Sequence, residues 1–229
     1  MKKFMMIAAM MVAAVSANAQ FEQGTFSIQP KAGLGLSWLS NMPDLPLDQA
    51  GLQGMTLDKS PIGAGLVGVE FEYQLAPKFS LAAGVDYTLQ GSGWKDTDIY
   101  STADGKKHEL SDAKLELGYV HVPVTANLYL FNGFAVKAGV QFGFLTNASS
   151  KAKEKVDNTS MEADVDIKDG LKKVDISIPL GVSYQFKVPI VLDLRYNLGL
   201  TKVNKDSTPG VKDFKNNSVM LTVGYKFAL

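Results

Sequence analysis

Residues 192–201 read LDLRYNLGLT, a stretch in which large apolar side chains alternate with small or polar ones. The apolar set falls on even-numbered positions, and the set that includes Asp193 and Arg195 falls on odd-numbered positions. A repeat of two residues predicts a β-strand, because successive side chains of a strand point to opposite faces. Similar alternation defines eight predicted strands in all, which cover 26–38, 62–75, 79–90, 119–130, 134–144, 175–186, 192–201 and 218–229.

The two faces of these strands differ in side-chain size. The polar faces consist mainly of Gly, Ser, Thr and Ala with one or two charges per strand, whereas the apolar faces carry aliphatic and aromatic groups. A soluble ligand-binding barrel turns its large apolar residues inward. Here the small and polar set suits a crowded lumen and the apolar set suits lipid. The reverse arrangement would expose apolar surface on the order of hundreds of Å², which soluble monomers rarely tolerate.

The connections between the predicted strands are alternately long and short. Three of them need only a few residues, near 76–77, 132–133 and 187–189, while the other four are long. The long connections cover 39–60, 91–113, 146–173 and 203–216. Short periplasmic turns and long extracellular loops are typical of outer-membrane barrels. We therefore expect an all-β, eight-stranded antiparallel up-and-down transmembrane β-barrel, with periplasmic N- and C-termini and four long extracellular loops.

The first nineteen residues have the pattern of a cleavable secretory signal. Lys2 and Lys3 precede an apolar run over 4–15, and Ala17-Asn18-Ala19 offers small residues for cleavage. This predicts a signal peptide over 1–19 and one barrel domain over 20–229. Removal of two lysines from 23 basic residues leaves 21 against 23 acidic residues, a net charge of −2 that argues against a nucleic-acid partner.

The predicted lumen contains a polar network of charged residues and one histidine. Its members are Lys31, Glu70, Glu72, Asp86, His121, Lys137, Asp193, Arg195 and Lys226. Such a set could form a proton or ion path, but buried charges need partners, and small barrels pack their interiors with side chains. We favour a structural network of ion pairs that fills the lumen.

Catalytic and metal-binding alternatives find little support in the sequence. The chain has no cysteine, which excludes a thiolate zinc site and a cysteine nucleophile. Glu70 and Glu72 share a face and resemble an acid/base pair, but lumen cations would neutralise them. Residues 164–170, DVDIKDG, lack the ligand and glycine spacing of a calcium loop. The alternation at 163–167 instead suggests strands that continue above the membrane, and the edge of such strands could pair with another protein. The alternative is that these residues form an ordinary charged loop.

A family resemblance rests on two short motifs in neighbouring strands. The segment GYVHVPV at 118–124, followed by AGVQFG at 138–143, resembles the PorT-like outer-membrane β-barrel family of Bacteroidota. His121 stands where that family usually has an acidic residue. Tyr225 and Phe227 near the C-terminus are similar to the aromatic insertion signal that the barrel-assembly machinery reads. The resemblance implies a small, porin-like protein of the Gram-negative cell envelope, and family members include gliding and secretion-associated proteins.

From the sequence we therefore expect a non-enzymatic protein of the cell outer membrane without a cofactor or a metal. Its partners are outer-membrane lipid, the barrel-assembly machinery during insertion, and a protein that binds the extracellular loops. The function that follows is interaction, adhesion or envelope assembly through these loops. A narrow porin-like channel for small solutes or ions is the alternative, and a lipid-modifying barrel enzyme is the third hypothesis.

Overall fold

The computed structural model describes residues 22–42, 45–46, 56–100, 106–156, 159–205 and 213–229. The predicted signal peptide at 1–19 lies outside these residues, as do parts of all four predicted long loops. Within the described part of the chain, no helix is long and apolar enough to cross a bilayer.

Eight antiparallel strands form a closed ring. Each strand pairs with the next along the chain, and the last pairs with the first from Lys31↔Gly224 to Ser40↔Lys215. The strands are β1 (Phe26–Ser40), β2 (Ile62–Ala76), β3 (Phe79–Trp94), β4 (Lys107–Phe131), β5 (Phe134–Val156), β6 (Val174–Gln185), β7 (Ile190–Gly199) and β8 (Lys215–Tyr225). The predicted eight-stranded up-and-down barrel is confirmed.

Large apolar side chains cover the outside of the barrel wall. In β7, Leu194 is 48% exposed whereas the next residue, Arg195, is 3% exposed. The same alternation of exposed apolar and buried polar residues runs through β3, from Phe79 to Gln90. The inside of the barrel is therefore polar and its outside is apolar, as the comparison of side-chain size predicts.

The two ends of the barrel differ. Pro77-Lys78, Asn132-Gly133 and residues 186–189 connect strands at one end, which we call the short-turn end. Both described termini lie there, because β1 begins at this end and the amide of Leu229 donates a hydrogen bond to the carbonyl of Phe26. The longer connections lie at the opposite end, which we call the long-loop end.

Two of the predicted long loops are mostly strand, which corrects their predicted bounds of 91–113 and 146–173. β4 and β5 are 25 and 23 residues long and continue past the barrel wall at the long-loop end. Two more strands flank this continuation: Thr97–Tyr100 pairs with β4, and Thr159–Asp166 pairs with β5. We call these two strands, together with 107–118 of β4 and 145–156 of β5, the extension sheet. Its first rows lie at the rim of the ring, where 114–118 still pairs with β3.

Register shifts explain why the sequence pattern of β4 and β5 stops early. The β4–β5 pairing shifts between Ser111 and Lys114, where Asp112 has a φ of 54°, and again between Gly118 and Tyr119. Each extra residue reverses the face on which the following side chains lie. The strands therefore continue in the structure, although the alternation of side chains in the sequence is interrupted at each shift.

The remaining elements are short. Leu45–Pro46 pairs with Thr56–Leu57 within the first long connection, and Lys59–Ser60 pairs with β3. A 3-10 turn spans Lys168–Gly170, and Phe227–Ala228 pairs with β1. The predicted continuous strand over 218–229 is thus interrupted at Lys226, which lies between β8 and this short strand.

Candidate functional site

Glu70 occupies the centre of the lumen and contacts three cations. Lys31 and Lys137 place their Nζ atoms 2.9 Å and 2.8 Å from the two carboxylate oxygens of Glu70. Arg195 adds a third contact, with Nη2 at 3.3 Å from Glu70 Oε2. The cations come from β1, β5 and β7, so one carboxylate joins four strands across the barrel.

Two further carboxylates complete this group. Asp86 lies 3.2 Å from Lys31 Nζ and 3.7 Å from Arg195 Nη1. Asp193 lies 2.9 Å from Lys137 Nζ and 3.5 Å from Arg195 Nε. These six residues, which we call the central cluster, are all buried. The central cluster pairs three basic with three acidic side chains, so the formal charges of these buried groups balance.

A second group lies nearer the short-turn end. Lys226 Nζ is 2.8 Å from Glu72 Oε2, and Ser80 donates a 2.7 Å hydrogen bond to Glu72 Oε1. Tyr129 also donates a hydrogen bond to Glu72 and accepts one of 3.2 Å from Lys226. We call these four residues the lower cluster. It fixes Lys226, the residue that interrupts the C-terminal strand, to β2, β3 and β4.

His121 is buried in the lumen wall and makes local contacts. Its Nδ1 lies 3.1 Å from the hydroxyl of Thr88, and its ring stacks on Tyr119 with centroids 5.3 Å apart. A Cβ atom at Gly143 would come within 2.7 Å of the imidazole Cδ2, so a glycine is required for this close approach. His121 therefore fills space beside the central cluster.

The second histidine, His108, lies in the extension sheet, 2.6 Å from Glu154.

An apolar group, which sequence reasoning missed, covers the lumen at the long-loop end. Its buried members are Leu39, Met42, Leu117, Tyr119, Leu145, Ala148 and Val203. We call this group the apolar cap. Leu117 lies two residues before Tyr119, so both are on the lumen side of β4. Alternation predicts polar residues on that side, and an apolar residue there is the signal that sequence analysis could have used. The barrel interior thus changes from ion pairs to hydrophobic packing towards this end.

The extension sheet has two different faces. By strand alternation and register, Glu116, Lys151 and Asp164 lie on one face, and Ala152 and Val165 on the other. On the charged face, Lys151 Nζ lies 2.6 Å from Glu116 and 3.8 Å from Asp164. The hydrogen bond from Lys151 lowers the pKa of Glu116, and Lys114 at 3.0 Å contributes to this.

The predicted insertion residues flank Lys226. Tyr225 ends β8, and Phe227 pairs with Ile28 of β1. The ring centroids of Tyr225 and Phe227 are 6.2 Å apart. Their strands close the barrel, because β8 and the short strand after it both pair with β1.

Among the residues that the structure describes, no cluster of His, Cys, Asp or Glu could hold a metal ion.

Comparisons with known proteins give one family match. A family model described as outer membrane protein beta-barrel domain matches residues 18–205. No curated protein sequence matches the chain.

Several solved structures resemble the chain at low identity. Ail of Yersinia pestis, in complex with the heparin analogue sucrose octasulfate, has 14% identity and a TM-score of 0.42, with 90% of this chain and 99% of that chain covered. Neisserial surface protein A has 14% identity and a TM-score of 0.44, with coverages of 88% and 97%. OprG of Pseudomonas aeruginosa has 15% identity and a TM-score of 0.43, with coverages of 93% and 100%.

The family model covers residues 18–205 of 229, which includes seven of the eight barrel strands. The apolar outer wall and the closed antiparallel ring agree with a protein that spans a membrane with strands. The chain therefore belongs to the outer membrane protein beta-barrel domain family and is an integral β-barrel of the outer membrane.

Proposed function

We propose that this barrel is closed to solutes and acts at the cell surface through its extension sheet, in interaction, adhesion or envelope assembly. The observation that carries the proposal is the continuation of β4 and β5 into a sheet past the barrel wall. A membrane anchor needs strands of only about 9–11 residues, and β4 is more than twice that length. The additional strand length serves contacts outside the membrane.

The packed lumen supports a closed barrel over a porin-like channel. An eight-stranded barrel has an interior only wide enough for side chains to fill. Here the central cluster links strands across the lumen and the apolar cap packs above it. A solute that passed through would have to separate buried ion pairs, and each separation leaves an uncompensated charge at a cost of about 3–5 kcal/mol.

The geometry also favours a non-enzymatic protein over a lipid-modifying enzyme. A lipid-facing Ser/His/acid set would need its histidine on the outer wall. His121 instead faces the interior between Thr88 and Tyr119. Glu70 and Glu72 are each held by lumen cations, so neither is available as a general acid or base.

The orientation follows from general rules for outer-membrane barrels. We propose that residues 1–19 are removed on export and that the mature chain from residue 20 is inserted by the barrel-assembly machinery. In this account, the machinery reads Tyr225 and Phe227, the long-loop end faces the exterior, and both termini face the periplasm. The outer wall then contacts outer-membrane lipid. The motifs at 118–124 and 138–143 support a place among the PorT-like barrels of Bacteroidota.

Photocrosslinking in intact cells tests the proposed function. The chain has no cysteine, so Ser160→Cys introduces a unique attachment point for a photoreactive group on the extension sheet. We expect one discrete protein adduct from this position. Asn132→Cys at the short-turn end is the matched control and should not give that adduct. Failure to obtain an adduct from Ser160→Cys under several growth conditions would count against an interaction role.

A further inference from the structure

The strand Thr159–Asp166 forms one edge of the extension sheet. Its inner edge pairs with β5 from Thr159↔Val156 to Asp166↔Ser149, and no other strand in the described residues pairs with its outer edge. The side chains of all eight residues are exposed. An outer edge of this kind presents backbone N–H and C=O groups that can pair with an added strand.

On one face of the sheet, basic residues of β5 lie opposite acidic residues of the edge strand. The β5 column is basic, with Lys153 3.2 Å from Glu162 and Lys151 3.8 Å from Asp164. Lys151 lies closer to Glu116 on its other side, at 2.6 Å. Glu162 and Asp164 on the edge strand remain 68% and 62% exposed, so their outer sides can accept further cationic partners.

The other face of the same strand is apolar. Met161 and Val165 are 66% and 57% exposed, and Ala163 lies between them. Their face is the one that carries Ala152 on β5, because Ala163 pairs with Ala152. A strand added at this edge would therefore meet acidic groups on one face and apolar groups on the other.

We propose that the edge strand Thr159–Asp166 binds an extended segment of a partner protein in which basic and apolar residues alternate. Successive side chains of such a segment point to opposite faces of the sheet. Its lysines or arginines would lie beside Glu162 and Asp164, and its apolar residues beside Met161 and Val165. Backbone pairing supplies affinity, and this alternation supplies specificity. The inference rests on the proposed function and names the partner's chemistry.

A second copy of this chain is a poorer occupant of the edge. If the edge strands of two copies paired antiparallel with Ala163 opposite Ala163, the acidic faces of the two strands would lie on the same side of the joined sheet, and so would the apolar faces. Glu162 would then lie opposite Asp164 at two places. Like charges directly opposite one another destabilise a strand pair. Charge complementarity thus favours a basic segment over self-association.

Binding of a synthetic strand to the full-length protein in uncharged detergent micelles tests the proposal. The probe is a fluorescent peptide of about eight residues that alternates lysine and valine, long enough to span the edge. One control peptide carries N-methyl groups on alternate backbone nitrogens, which blocks strand pairing but keeps the charge. A second control peptide alternates glutamate and valine.

We expect N-methylation to weaken the affinity of the lysine peptide by about tenfold or more, since it removes backbone pairing. The double variant Glu162→Lys with Asp164→Lys should prefer the glutamate peptide. Glu109→Lys, an acid on the same face but inside the sheet, is the matched control and should keep the preference for lysine.

Three outcomes would overturn the proposal. The first is equal affinity for the lysine peptide with and without N-methyl groups, which would indicate adsorption by charge alone. The second is an equal effect of Glu109→Lys and the double variant. The third is self-association of the peptide-free protein through the edge strand. The adduct from Ser160→Cys in cells does not depend on these results, so failure of the peptide test alone leaves the proposed function standing.

Discussion

Lys137 donates a 2.8 Å hydrogen bond to Glu70 across the barrel lumen. The two residues belong to β5 and β2, which are not neighbours in the ring, so the contact joins opposite parts of the wall. Strand pairing alone holds each strand only to the next. Such cross-lumen contacts therefore make the central cluster a structural filling of the barrel.

Glu70→Ala should lower the free energy of unfolding by about 3–5 kcal/mol, because it leaves Lys31, Lys137 and Arg195 buried with less negative charge. Glu70→Gln, which keeps the shape of the side chain, should also destabilise the barrel. Urea unfolding of the reconstituted protein measures the change. Glu162→Gln is the matched control, since it breaks an ion pair with an exposed partner and such pairs contribute little. Equal effects of Glu70→Gln and Glu162→Gln would contradict the assigned role of the central cluster.

In the lower cluster, Lys226 and Glu72 should show strong energetic coupling. Lys226→Met leaves the Glu72 carboxylate without its cation, and Glu72→Gln leaves the Lys226 ammonium without its anion. Combining the two removes both buried charges, so the double variant should be more stable than the sum of the single changes predicts, by about 0.5–3 kcal/mol. A double-mutant cycle from unfolding curves measures this coupling. Additive effects would show that the two side chains act independently.

The extension sheet should loosen at low pH. The pKa of Glu116 is lowered by the hydrogen bond from Lys151, so its ion pairs stabilise the sheet above the ordinary carboxyl range and are lost as the pH falls through the lowered pKa. Amide hydrogen exchange at 107–118 and 145–156 should therefore accelerate, relative to the barrel strands, as the pH falls below the ordinary pKa of a glutamate, about 4.3. Glu116→Gln should weaken this pH dependence. An unchanged pH profile in that variant would rule out Glu116 as a source of the effect.

The orientation of the barrel can be tested with single cysteines. Ser160→Cys at the long-loop end should react with a membrane-impermeant maleimide in intact cells. Asn132→Cys at the short-turn end should react only after the outer membrane is permeabilised. The opposite pattern would place the extension sheet in the periplasm.

Much of the barrel could be predicted because two features of the sequence agree in each strand. The alternation of side chains identifies the strand, and the size of the side chains tells which face contacts lipid. Around Leu194 and Arg195, one residue faces lipid and the next faces the lumen, and both facts follow from the sequence pattern. The extension sheet was predicted only in part, because the register shift at 111–114 reverses the alternation within β4. The pattern in Thr159–Asp166 has no such shift, and there the sequence did suggest a strand.

The contacts inside the lumen were beyond sequence reasoning for a different reason. Periodicity assigns a residue to a face but does not give its height within the barrel. It therefore could not assign six of the nine predicted lumen residues to the central cluster, two to the lower cluster and His121 to neither. It also gave no reason to single out Tyr129, which bonds to both members of the Lys226–Glu72 pair. The alternation placed Asp175 on the lumen face of its strand, but the predicted polar network did not include it. It is buried at the long-loop end and accepts a 2.6 Å hydrogen bond from Thr201.

We propose that the barrel is closed and acts through its extension sheet. Planar-bilayer recording of the purified full-length protein tests the first half of this claim most directly. We predict no steady open conductance, because the central cluster and the apolar cap fill the lumen. A steady conductance that changes in amplitude or ion selectivity with Lys137→Met or Arg195→Met would contradict the account and establish a narrow channel instead.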